Sequence, residues 1–407
     1  MVECSLGEMA DGVDHHQRAL PARGLVGAAD PAVLEPPCGQ LRFQSLGHLG
    51  VGIGLRCHGF SSTTLAPSVF AAIIGCGHAS SGDKVTDDVV NVSAPARLHL
   101  GFLDPGGQSA RRFGGIGMAL EEPATRLSIR RARQDHVDGP EAGRAAAYLD
   151  DMRRHLGIGT RHELTISDAI PAHSGLGSGT QLALAVATAL RALEGQPADI
   201  SGDAARLGRG NRSGLGAAFV SGGGVAVDGG KGDSDMPPPL IARLPFPHDW
   251  RVILVLDPSD TGFHGADEVA AFATLPAFPE AQIAEICRLV LMQALPSLAE
   301  TDIAGFGAAI ATIQQMVGEH FAPAQGGVFT SPAVARACEA LAAAGAHGIG
   351  QSSWGPTGFA FAPSAREARR LVAAIGEAAA GLDIRILAGR NHGAGVERRG
   401  LRLTGTG

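Results

Sequence analysis

The chain has 407 residues, enough for one large or two ordinary domains with a sizeable core. Hydrophobic residues make up 45% and charged residues 18%, which excludes a globally disordered chain. A net charge of −7 excludes a broad basic nucleic-acid surface, and Lys84 and Lys231 are the only lysines, so an anion site must rest on arginine, histidine and backbone N–H groups. The longest apolar runs, such as Leu65 to Cys76, fall short of the roughly 20 residues a spanning helix needs, so no membrane partner is expected. The first twenty residues carry acids and His15-His16 rather than a basic start and an apolar stretch, and the cytoplasm is the expected compartment. None of the six cysteines forms a C-x-x-C pair, so they read as free thiols.

Residues 1–86 hold four of the six cysteines and show no sustained helical period, and they are expected to be a flexible extension or a start set too far upstream. Val89 to Val92 and Leu98 to Phe102 read as a strand pair or one strand bent at Pro95. Gly117 to Leu120 and Leu127 to Ile129 are short strands, Glu141 to Leu156 a helix, and Glu163 to Ile166 a half-buried strand. Gln181 to Leu193, rich in Ala and Leu, is a helix. Phe219 to Val227 reads as a strand interrupted by Gly222, Gly223 and Gly224, and 229–239 as a loop at a domain boundary. Val252 to Leu256 is a buried strand, followed by helices near 266–274, 279–294 and 299–319. Ser331-Pro332 opens another helix, Gly358 to Phe361 is a strand, and Ser364 to Glu367 is a capping box for a helix ending at Gly381. Ile384 to Leu387 is the last strand. The pattern is α+β, with one domain over 87–235 and a second over 240–400, and no tandem repeat.

The segment Pro171-Ala172-His173-Ser174-Gly175-Leu176-Gly177-Ser178-Gly179-Thr180 lies between a strand and a strong helix. Its glycines let successive N–H groups turn inward, and the helix start adds partial positive charge, which together make a phosphate cradle. No lysine follows, so it is not a Walker-type loop. It resembles the second motif of the GHMP kinases, Pro-x-x-x-Gly-Leu-Gly-Ser-Ser-Ala, in Pro171, Gly175, Leu176, Gly177 and Ser178, but departs at Gly179 and Thr180. The kinases carry a second serine where this chain has Gly179. Arg212, in Gly210-Asn211-Arg212-Ser213-Gly214-Leu215-Gly216, stands about where a kinase has its catalytic aspartate. Arginine takes no proton at neutral pH but can hold a phosphate or carboxylate with two donors.

Three further strings, Arg97 to Asp104, Gln325 to Phe329 and Gly350 to Gly358, sharpen the match. With the Arg212 and Phe263-His264-Gly265 segments, they are similar to the β-ribofuranosylaminobenzene 5′-phosphate synthases, non-kinase enzymes of the GHMP fold, over residues 88 to 400. The resemblance implies a GHMP-kinase-like two-domain α+β fold, a ribosomal-protein-S5-like N-terminal domain followed by an α/β sandwich. It implies a homodimer and a decarboxylating pentosyl transfer in tetrahydromethanopterin biosynthesis, joining 4-aminobenzoate to phosphoribosyl pyrophosphate with Mg²⁺. The same residues leave 4-hydroxybenzoate open as the acceptor. Arg97, His99, Asp104 and Arg212 are the expected catalytic groups, with Ser178 and Asp104 as Mg²⁺ ligands. Gly175, Gly177, Ser178, Gly179, Thr180 and Ser213 are expected on the phosphates. His264, Gln325, Gln351, Ser352, Ser353 and Trp354 are expected on the sugar or the ring. A small-molecule kinase using ATP and a non-catalytic phosphate-ligand-binding protein are the alternative readings.

Overall fold

The computed structural model describes residues 88–107, 109–260 and 275–400. The expected extension over 1–86, the helix near 266–274 and His264 therefore lie outside the described residues.

Two long strands form the spine of the first sheet. β1 (Val89–Asp104) and β2 (Phe113–Ala132) pair antiparallel along most of their length. The two segments expected around Pro95 are one strand, and its register shifts at Pro95/Ala96 and again at His99/Gly101. Each shift is an irregularity that re-aims the following side chains. Alternation puts Val90, Val92, Leu98 and Leu100 into the interior. Each such buried side chain contributes roughly 1.5–3 kcal/mol relative to exposure. β3 (His136–Asp138), α1 (Ala142–Leu156) and β4 (Arg161–Asp168) follow, and β4 pairs with the far end of β2. α2 (Ser178–Leu193) is buried along most of its length against β1, β2 and α1, as its Ala/Leu content requires.

α3 (Ile200–Arg206) and α4 (Leu215–Ser221) then lead into β5 (Val225–Asp228). The expected strand over 219–227 is thus a short helix and a strand, divided by the glycine run. Within 219–227 the apolar run was too short to separate the two periods. The environment decides it: Leu215 and Phe219 are one helical turn apart and enter the same core. β5 and β6 (Leu240–Leu244) extend the first sheet from the near end of β2.

β7 (Arg251–Leu256), the expected buried strand, begins a second antiparallel sheet. α5 (Glu280–Leu289) continues through a π-helical turn at Val290–Ala294 into α6 (Leu295–Ala299). α7 (Ile303–Gln325) is capped by Asp302, whose carboxylate accepts from the N–H groups of Ala304 and Gly305, so the helix expected from 299 begins four residues later. α8 (Pro332–Ala343) opens with Ser331 as N-cap, as expected. β8 (His347–Gln351) and β9 (Gly358–Ala362) flank the third Gly-rich string. α9 (Ala365–Ala374) has the expected Ser364 cap, and β10 (Asp383–Leu387) gives the order β10-β7-β9-β8. β11 (Gly395–Arg399) pairs with β1, so β6 and β11, both beyond residue 235, belong to the first sheet.

One apolar cluster carries residues of both sheets, including Leu98, Leu100 and Ile116 of the first and Val252, Leu254, Phe359 and Phe361 of the second. The site described next sits at this seam.

Candidate active site

The loop before α2 is built from backbone geometry that few residues tolerate. Gly175 and Gly177 have φ of +79° and +78°, and Gly177 is the N-cap of α2. The string 350–358 holds this loop from the other sheet. Ser352 Oγ donates to the Gly175 carbonyl at 2.9 Å and accepts from the His99 N–H at 3.0 Å. Thr357 Oγ1 donates to the Ser174 carbonyl at 2.7 Å. A Cβ on Gly355 would collide with the backbone at Ser174 and Gly175, and one on Gly175 would collide with the Ser352 carbonyl. Two glycine loops therefore meet backbone to backbone. The Leu176 carbonyl also accepts from the Arg97 N–H at 3.0 Å, which ties the loop to β1.

In front of the loop lies a cavity of about 240 Å³. Arg97 and His99 of β1 form one wall, Thr180 of α2 a second, and Arg209, Asn211, Arg212 and Ser213 of the loop before α4 a third. Phe102 and Ser353 complete it. Arg97 and His99 share one face of β1, as their alternation predicts. A narrow slot of about 10 Å³ adjoins the cavity, room for about one water. The slot shares His99, Phe102 and Ser353 with the cavity and adds Gln314, Gln325, Gln351 and Phe321. His99 thus stands where the polar cavity meets the amide- and ring-lined slot.

His99 is 2% exposed and its Nε2 meets no hydrogen-bond partner among the described residues. Burial, and secondarily the Arg97 charge, push its pKa well below the usual histidine range, so the ring is neutral. It lies against Phe102 at 4.3 Å between centroids, and Gly115 leaves room for it, since a Cβ there would come within 2.9 Å of Nε2.

The Arg212 loop is anchored from behind by Asp228, the last residue of β5. Its carboxylate accepts from Ser213 Oγ at 2.9 Å, Gly214 N–H at 2.9 Å and Gly230 N–H at 3.0 Å. Burial pushes the Asp228 carboxyl up, against the opposing pull of these donors and of Arg97. Ser213 therefore reaches both the cavity and this anchor.

Two expected residues have other surroundings. The Asp104 carboxylate accepts from the N–H groups of Gly107 at 2.9 Å and Ser109 at 3.0 Å, and Asp104 does not line the cavity. It is the turn aspartate that its place before Pro105-Gly106 also allowed. Trp354, expected to stack on a substrate ring, is 2% exposed and packs on Phe321 at 4.4 Å between centroids, which leaves it no open face. Gln325 and Gln351 wall the slot, but their amides also bind protein: Gln325 donates to the carbonyls of Gly327 and Val328, and Gln351 accepts from Thr330. Among the described residues the cavity lining contains no carboxylate, and no group of three or more potential metal ligands occurs. These residues do not fit a Mg²⁺ held by protein carboxylates. A cation would enter on the phosphates of a ligand.

Sequence reasoning passed over Arg209, Phe102 and Asp228. Arg209 sits between Gly208 and Gly210, three residues before Arg212, and that flanking was the available signal. Asp228 precedes Gly229-Gly230, an ordinary turn signature, and nothing local marks it as an anchor.

The family model described as the GHMP kinases N terminal domain matches residues 142–223, and that of the GHMP kinases C terminal matches 294–381. A "Beta-ribofuranosylphenol 5′-phosphate synthase" of Methanothermobacter thermautotrophicus is 30% identical over 325 residues, 74% of this chain and 97% of the relative. The same-named protein of Archaeoglobus fulgidus is 33% identical over 288 residues, 68% of this chain and 88% of the relative. The chain belongs to the β-ribofuranosylphenol 5′-phosphate synthase family. Among solved structures, homoserine kinase from Cytophaga hutchinsonii superposes with a TM-score of 0.54 at 18% identity, covering 76% of this chain and 97% of that one. Mevalonate pyrophosphate decarboxylase from Streptococcus pyogenes superposes at 0.55 and 14% identity, covering 74% and 97%. These likenesses show that this chain has the GHMP fold, as the Gly-rich loop implied. No helix among the described residues is long and apolar enough to cross a membrane.

Proposed function

We propose that the chain transfers ribosyl 5-phosphate from phosphoribosyl pyrophosphate to the carboxyl-bearing carbon of a 4-substituted benzoate, releasing CO₂ and pyrophosphate. The relatives are named for a ribofuranosylphenol product, which corresponds to 4-hydroxybenzoate. The reading of the sequence favoured 4-aminobenzoate. Both acceptors carry an electron-releasing group opposite the carboxylate, and the chemistry is shared.

One observation carries the proposal: among the described residues the cavity lining is rich in arginine and holds no carboxylate. In the transfer, the C1–oxygen bond of the ribosyl donor breaks and its electron pair leaves with pyrophosphate. The ring carbon forms the new C–C bond. The carbon–carboxylate bond then breaks and returns its pair to the ring as CO₂ departs. The sum needs no proton donor or acceptor. A kinase must take a proton from its acceptor hydroxyl, and the described residues of the cavity lining offer no carboxylate to do so. Arginines suit the remaining demands, which are to hold phosphates and to stabilise charge growing on the leaving group.

In this reading Arg97 orients the benzoate carboxylate, and Arg212, fixed through Ser213 and Gly214 by Asp228, holds donor oxygens. His99 stays neutral beside the reacting carbon and so adds no positive charge against an oxocarbenium-like centre. Mg²⁺ would arrive with the donor and shield its phosphates.

The test is a product assay with phosphoribosyl pyrophosphate, Mg²⁺ and carboxyl-labelled 4-aminobenzoate or 4-hydroxybenzoate in parallel. Equimolar label and pyrophosphate, released only when both substrates are present, is the expected result. The better acceptor settles the ring substituent. Absence of release with both acceptors, alongside phosphorylation of a metabolite hydroxyl by ATP, would overturn the proposal.

A further inference from the structure

We propose that Arg144 and Arg209 grip the pyrophosphate arm of the ribosyl donor, and that Gly179 is the residue that admits them. The inference rests on the donor named above and deepens it by assigning one of its two phosphate ends.

Gly179 is the second residue of α2, and its backbone is ordinary right-handed helix. No backbone conformation there calls for glycine, and glycine weakens a helix. The space a side chain would take is already filled. A Cβ on Gly179 would lie 2.5 Å from Arg144 Nη2 and 3.3 Å from Arg209 Nη1. Two guanidinium groups therefore converge over the first turn of α2. The GHMP kinase pattern places its second serine at this position, where a hydroxyl would stand in their way.

The two cations are held in place from behind. Glu141 accepts from Arg144 Nη1 at 2.9 Å. The Tyr148 hydroxyl accepts from Arg209, whose guanidinium carbon lies 5.4 Å from the Tyr148 ring centre. Arg209 also lines the cavity, and its Nε is buried with no hydrogen-bond partner among the described residues. Two like charges beside the positive end of a helix repel one another, and a bound polyanion relieves that repulsion. Pyrophosphate carries more charge than a sugar monophosphate and presents oxygens on two phosphorus centres, enough for two forked donors and the helix N–H groups.

The experiment is calorimetric titration of the full chain with inorganic pyrophosphate and, separately, ribose 5-phosphate. Gly179→Ala displaces only the flexible ends of two side chains. It is expected to lower pyrophosphate affinity roughly tenfold or more, the loss of about one charged hydrogen bond. Ribose 5-phosphate affinity should be unchanged and Tm unchanged or raised, because alanine favours the helix. Arg209→Gln, which leaves α2 intact, should lower pyrophosphate affinity alike and add little in the Gly179→Ala background. Pyrophosphate binding as tight as wild type in both variants overturns the inference. So does a loss of ribose 5-phosphate affinity, alone or together with that for pyrophosphate. A wild-type chain that binds no pyrophosphate counts against the proposed function itself, and the inference falls with it.

Discussion

Two Gly-rich loops meet at the site, and they do opposite work. The loop at 173–180 turns on its left-handed glycines into α2, and its last residue, Thr180, lines the cavity. The string at 350–358 sends Ser353 to the cavity but keeps Ser352 and Thr357 inward, fully buried and bonded to the first loop. One loop presents and the other holds. Composition does not distinguish them, since both are runs of glycine and serine. The difference lies in which polar atoms find a partner inside the protein.

The harshest way to break this division is Gly355→Ala. A Cβ there has only backbone to displace, at Ser174 and Gly175, so both loops must shift. A stability loss of about 3 kcal/mol or more by urea denaturation, with activity abolished, is expected. Next come two substitutions that should separate the roles. Arg212→Ala, in the cavity wall before α4 that faces the ligand, should weaken pyrophosphate binding by roughly 1.5–3 kcal/mol with the urea midpoint nearly unchanged. Thr357→Val, on the holding side, should cost about 1–3 kcal/mol of stability, because the buried Ser174 carbonyl loses its donor. If Thr357→Val left stability intact and lowered only pyrophosphate affinity, the two roles would not be distinct.

His99, bonded through its N–H to the holding loop, sharpens the comparison by pH. Its folded pKa lies well below the unfolded value, so the folded state resists protonation. The stability it contributes is present above about pH 6.5 and is lost as pH falls through the unfolded value toward the folded one, by at most about 1.4 kcal/mol per pH unit. Urea midpoints measured from pH 7.5 down to 5 should fall less steeply in His99→Gln than in the wild type. The smallest effect is at Cys338, under the foot of the holding loop, where a Cβ on Gly358 would lie 2.7 Å from Sγ. Burial pushes this thiol up to about 12. At pH 8 an alkylating reagent should therefore take the exposed Cys287 before Cys338, and reach Cys338 only on unfolding.

The comparison also explains what could be read from the chain alone. The presenting loop was legible because its glycines, the strand before it and the Ala/Leu helix after it are all local signals. Ser331 and Ser364 announced their helices for the same reason. Arg97 and His99 fell on one face because strand alternation fixes that. The holding role of Ser352, the anchor at Asp228 and the burial of Trp354 depend on partners far along the chain, such as Gly175, Ser213 and Phe321. No window of sequence contains both members of such a pair. The helix at 215–221 was misread because a short apolar run between glycines fits either period until its neighbours are known.

Tyr148 is the only tyrosine in 407 residues, and its hydroxyl lies under the guanidinium of Arg209. Incorporating ring-labelled tyrosine would therefore give a resonance spectrum with a single reporter, placed by the sequence itself beside the first turn of α2. Occupancy of the arginine pair could then be followed one residue at a time, with no substitution and no turnover.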